Sequence, residues 1–187
     1  MLWPFNHFLQ PRTPSRGTIE AIYGMIVAQA REPLFYQDLG VPDTVNGRFD
    51  MMVLHLWMVL RQLKQFGDDS HLAQALFDHF CSDMDHNLRE LGTGDLAVPR
   101  RMRQFGEAFY GRSAAYDLAL AAGEGEEEGP LAQALCRNIF NGQNSDKARR
   151  LAAYVGQALG ALAATDEATL SGACWQFPPP ARIAEVG

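Results

Sequence analysis

Apolar residues recur along this chain at three- and four-residue intervals, and no stretch alternates apolar with polar positions between hairpin turns, so the pattern predicts helices without a sheet. From Arg48 to Gln65, RFDMMVLHLWMVLRQLKQ is apolar on nearly every side, as expected of a central, buried helix surrounded by others. Ahead of it, TIEAIYGMIVAQAR reads as a helix capped by Thr18 and stopped before Pro33; Ser70 and Ser145 stand at similar starts further on. EPLFYQDLGVPDTVNG carries Pro33, Gly40, Pro42 and Gly47 beside Phe35, Tyr36 and Leu39, and should be an ordered loop held by its own apolar side chains. Leu76, Phe80, Met84, Leu88 and Leu91 form one stripe of the next helix, which LGTGD closes through Gly92 and Gly94 before Pro99 starts another, giving a helical hairpin. PLAQALCRNIF and SDKARRLAAYVGQALGALAA follow the acidic loop GEGEEEG, and WQFPPPAR should be extended. The expectation is an all-α single compact bundle of six or seven helices: an aromatic arm (1–17), the domain itself (18–172) and a Pro-rich tail (173–187).

With 187 residues, 47% of them hydrophobic, one domain with a real core is expected. A net charge of -6 and a pI near 5.3 exclude nucleic acid as the main ligand, because phosphate binding needs a basic surface. Cys81, Cys136 and Cys174 are odd in number and unpaired in any CxxC motif, which suits free thiols in a reducing compartment. The apolar run Met51 to Leu60 is too short to span a bilayer. MLWPFNHFLQPRTPSRG reads neither as a signal peptide nor as an organelle presequence, so a bacterial cytoplasmic setting is expected. Its Trp3, Phe5, Phe8 and Leu9 suit an arm packed back on the domain, with a peripheral membrane or partner anchor as the rival reading.

The chemistry-bearing letters concentrate in HFCSDMDHNLRELG, residues 79–92. At about 100° per residue His79, Asp83 and His86 share a face with Glu90, a spacing that permits metal ligation. An amphipathic helix explains the same letters without a metal, and that reading is preferred. Asp83 and Asp85 lie about 160° apart and cannot act as one carboxylate pair. Asp85 and Arg89, four apart, support the helix by only about 0.2–0.5 kcal/mol. Arg100, Arg101 and Arg103 follow on the next helix, where they would pair across the hairpin with Asp83 or Glu90, or meet an acidic partner. In EAFYGR, Gly106 and Gly111 flank Phe109 and Tyr110 inside a helix, so close packing or a kink is expected; Tyr110 and Arg112 are candidate interface anchors. His55, alone in the central helix, is read as a buried neutral histidine, a haem ligand being the rival. No GxSxG elbow or phosphate-binding glycine loop is present, so no catalytic residue is assigned. Ala152, Gly156, Gly160 and Ala164 make a small-residue stripe, expected to serve internal helix packing, with acceptance of a helix from a partner protein as the rival reading.

Taken together, FY..LGVPDT.NGRF, the LH of the central helix, DMD..LRE.G.GD and EAFYGR, in this order between about Ala30 and Tyr116, resemble the ubiquinol-cytochrome c chaperone family. The resemblance implies an all-α, non-enzymatic chaperone that binds newly made cytochrome b and shields it during assembly of the cytochrome bc1 complex. It implies no metal or other cofactor, and leaves room for a small assembly partner or the ribosome as further contacts. Asp83, Asp85, Arg89, Glu90, Asp95, Arg100, Arg101, Arg103, Tyr110 and Arg112 are the expected partner-binding residues. The alternative is an α-helical metal- or haem-dependent enzyme using His55 or the face of His79, Asp83 and His86.

Overall fold

The computed structural model describes residues 14–67, 71–123 and 129–180; the aromatic arm up to Thr13, the cap position Ser70 and most of the acidic loop lie outside them. Among the described residues there are eight helical segments and no strand: α1 (Arg16–Ala30), α2 (Pro33–Gln37), α3 (Val45–Gln65), α4 (His71–Glu90), α5 (Val98–Ala121), α6 (Pro130–Ile139), α7 (Ser145–Ala163) and α8 (Glu167–Ser171). α2 and α8 are single turns of five residues, which leaves six longer helices.

The starts follow local chemistry, with two departures from expectation. α1 is capped by Ser15, whose hydroxyl accepts from the Thr18 backbone N–H, so Thr18 lies inside the helix it was expected to cap. α7 begins at Ser145 behind Asn144, which is left-handed and supplies no side-chain cap. Thr44 caps α3 by accepting from Gly47 N–H, and Asp166 caps α8 through Thr169 N–H.

α3 packs against α1, α4, α5, α6 and α7. Every residue from Met51 to Leu60 is buried, which is why the chain cannot afford a polar face there. The segment expected as a loop is partly helical: α2 buries Phe35, then Leu39 and Val41 fill the core on either side of left-handed Gly40. Gly47 lets the backbone fold back on itself, since a Cβ there would stand 2.0 Å from the Pro42 carbonyl oxygen. Asp43 accepts from Arg48 Nε at 2.7 Å, and Tyr36 donates to the Ala30 carbonyl at 2.6 Å. The extended segment after α8 returns to the core, where Trp175 and Phe177 are buried.

Of the small-residue stripe of α7 only Ala152 packs against the core. Gly156, Gly160 and Ala164 are exposed, and a Cβ on either glycine would meet no neighbouring atom; the buried face is instead Leu151, Tyr154, Val155, Ala158 and Leu162. Gly106 and Gly111 likewise face open space, and α5 runs through both without interruption. The helix tolerates the propensity cost of about 1 kcal/mol per glycine because its inner face is anchored elsewhere.

Candidate functional site

α4 and α5 form the expected hairpin, joined face to face by aromatic rings. Phe77 lies 4.9 Å from Phe109 and 5.7 Å from Tyr110, and Phe105 stacks on Phe49 of α3 at 4.9 Å. Leu76, Phe80 and Phe109 are buried, so the apolar letters of the two helices account for how they pair.

The charged letters divide into inward and outward groups. Asp83 accepts a 2.7 Å hydrogen bond from the Tyr23 hydroxyl of α1, while the His79 ring meets Tyr23 edge-on at 4.8 Å. His86 pairs instead with Glu90 at 3.1 Å on the exposed side. Asp83 and the two histidines thus have separate partners, and no cluster of metal-ligating side chains is found among the described residues. Arg89 bridges Asp85 at 2.7 Å and Asp95 at 2.6 Å, tying the end of α4 to the turn. Hydrogen bonding to Arg89 holds the Asp85 carboxyl below its ordinary range.

The expected cross-hairpin pairing of the arginines is not made. Arg103 reaches Glu107 on its own helix at 3.5 Å, and Arg100 and Arg101 are exposed, in no ion pair among the described residues. Tyr110 is exposed on the outer side of α5 while its ring touches Phe77 and Phe109. Leu118, two turns further on, is also exposed, with Ala114 between them.

Arg112 turns inward. Its Nη2 stands 2.7 Å from Oδ1 of Asp50, a buried carboxylate of α3, and its guanidinium lies 5.9 Å from the Phe49 ring centre. The pair is close but poorly aligned: Asp50 Oδ1 and Arg112 Nε lack a hydrogen-bond partner among the described residues, as do Ser113 Oγ and Tyr116 O–H beside them. Burial pushes Asp50 up to about 6 despite Arg112, which pulls the other way. Asp50 is a residue the apolar pattern hides, although a charge beside an all-round apolar run signals a buried partner.

His55 belongs to a second buried polar group. Its Nδ1–H donates to the Met51 carbonyl at 2.8 Å, and its Nε2 accepts from the Tyr154 hydroxyl at 2.8 Å. That hydroxyl accepts from Gln29 Nε2 at 3.0 Å, and the same amide group donates to the Pro178 carbonyl at 3.1 Å. The run ties α1, α3 and α7 to the C-terminal segment, and Phe177 closes edge-on over the imidazole at 5.1 Å. Burial holds His55 down at about 4, hence neutral, with both ring nitrogens engaged. This is the arrangement of a core histidine, and it leaves no ring nitrogen for a haem iron.

Residues 37–177 match the family model described as ubiquinol-cytochrome C chaperone, so the match continues past Tyr116 through α7 and into the returning segment. The crystal structure of the Cbp3 homolog from Brucella abortus is 36% identical, with a TM-score of 0.78 over 91% of this chain and 92% of that one. Ubiquinol-cytochrome-c reductase complex assembly factor 1 of Xenopus laevis is 29% identical over 65% of this chain and 60% of its own length. Protein CBP3, mitochondrial, of Saccharomyces cerevisiae is 30% identical over 59% of this chain and 33% of its own length. The chain thus spans between a third and three-fifths of these two curated relatives. With a family match over most of its length and the same all-α fold as the Brucella protein, the chain belongs to the ubiquinol-cytochrome C chaperone family.

Proposed function

We propose that this protein is a non-enzymatic assembly chaperone that binds newly made cytochrome b on the way to the ubiquinol-cytochrome c reductase complex. The observation that carries the reading is its likeness to the Brucella Cbp3 homolog across nearly the whole of both chains, together with relatives named as assembly factors for that complex. The site chemistry is compatible with it: His55, Tyr154 and Gln29 hold one another in the interior, Arg112 is committed to Asp50, and what faces outward on α5 is contact surface. Asp83 and Arg112 serve the interior, and Asp85, Arg89, Glu90 and Asp95 are spent on local ion pairs. Tyr110, Ala114 and Leu118 remain as an exposed apolar row beside Arg103, suited to one side of a client helix. No described helix is long and apolar enough to cross a membrane.

Co-purification from detergent extracts of cells making cytochrome b tests the reading. Wild type is expected to retain cytochrome b, and the Ala114→Glu, Leu118→Ser double variant to lose most of it while keeping its thermal midpoint, since both positions are exposed. Absence of cytochrome b from crosslinked wild-type eluates would refute the client assignment; normal capture by the folded variant would move the contact off this face.

A further inference from the structure

The turn between α4 and α5 carries two leucines that the fold does not use. Leu91 is 77% exposed and Leu96 is 99% exposed. A leucine with almost no neighbours stands on a convex point, not in a groove, and contributes nothing to the core. The point is nonetheless firmly shaped. Gly92 is left-handed, Thr93 N–H closes on the Leu88 carbonyl at 3.0 Å, and the Ala97 and Val98 N–H groups both return to the Gly94 carbonyl. Arg89 bridges Asp85 and Asp95 and offsets one of these two charges. Glu90 is held by His86 and Glu107 by Arg103, while Arg100 and Arg101 on the first turn of α5 remain exposed and outside any ion pair among the described residues. Across residues 85–107 four arginines balance four carboxylates on a chain whose net charge is -6, and Arg100 and Arg101 are the two of those arginines outside any ion pair among the described residues.

We propose that this tip docks on an anionic phospholipid surface, with Leu91 and Leu96 entering the boundary between headgroups and acyl chains and Arg100 and Arg101 meeting lipid phosphates. A rigid apolar point rimmed by guanidinium groups complements a deformable, negatively charged surface. The flatter row of Tyr110 and Leu118 is the better match to a helix. The proposal stands apart from the client assignment, because protein-free vesicles suffice to test it.

Sedimentation of the full chain with phosphatidylcholine vesicles, with and without phosphatidylglycerol as about a third of the lipid, is the direct measurement. Wild type is expected to sediment with the anionic vesicles and to be released as salt is raised. Leu91→Ser with Leu96→Ser, and separately Arg100→Gln with Arg101→Gln, should each weaken binding about tenfold or more without altering helical circular dichroism. A Leu96→Trp variant should shift its emission to the blue only with the anionic vesicles. Failure to bind, equal binding to both lipids, or unchanged binding by both double variants would each overturn the proposal. So would loss of cytochrome b capture in detergent by the leucine variant while its vesicle binding persists, since the tip would then be a protein contact.

Discussion

Asp50 and His55 lie five residues apart on α3, both buried, and their protons act on stability in opposite senses. Asp50, raised from 3.8 to about 6, contributes stability that is complete below about pH 4 and lost as pH rises through about 6. His55, lowered from 6.5 to about 4, contributes stability present above about pH 6.5 and lost as pH falls through about 4. Each effect is on the order of 3 kcal/mol, so between pH 4 and 6 they largely offset one another in wild type. Relative to wild type, Asp50→Asn should therefore gain a thermal midpoint that climbs across this window, and His55→Gln one that falls. Parallel profiles for all three proteins would show that these groups do not titrate as their burial dictates. Tyr154→Phe should cost about 1–3 kcal/mol in urea unfolding, because it strands the His55 acceptor. That His55 would be a satisfied core residue was legible in its lone place among apolar letters; its partner, 99 residues away, was not, because helical periodicity says which side of a helix is buried and not which neighbour covers it.

Among the helices, glycine gives the sharpest contrast between what a letter suggests and what its surroundings demand. Gly47→Ala drives a methyl group into the Pro42 carbonyl and should lower the urea midpoint substantially, whereas Gly156→Ala on the open side of α7 should raise stability by about 0.5–1 kcal/mol. Equal effects at the two sites would contradict the packing described for both. Leu56→Ala in α3 should cost about 2–5 kcal/mol. The existence and limits of α3, α4 and α5 were readable to within a few residues, since long periodic runs bounded by glycine and proline leave little choice. The motif around Gly40 and Gly47 was read as a loop, yet it holds a helical turn, because Pro33 at a helix start and Phe35 in the core favour that turn once tertiary contacts exist. The α7 stripe is open at Gly156 and Gly160 for a related reason: small residues permit close approach without requiring it.

At the scale of the whole molecule, the all-α architecture and the family were legible, while the division of the hairpin charges was not. Arg112 and Tyr110 stand two positions apart and read alike as interface anchors, yet one is committed to a buried carboxylate and the other faces solvent. Only the docking of α5 on α3 separates them. Arg112→Ala should consequently act as a folding lesion, costing about 3–5 kcal/mol by leaving Asp50 unpaired, with any loss of cytochrome b capture tracking the loss of helical signal. Capture lost at full stability would place Arg112 in the contact after all. The tie from Gln29 to the Pro178 carbonyl has a consequence of another kind. A chain emerging from a ribosome presents α1 first, but the amide of Gln29 cannot complete its bonds, nor Phe177 cover the imidazole, until synthesis has passed residue 178. Arrested nascent chains ending before Trp175 should therefore remain open to proteases that the finished domain resists: the first helix has to wait for the last core residues before the interior is closed.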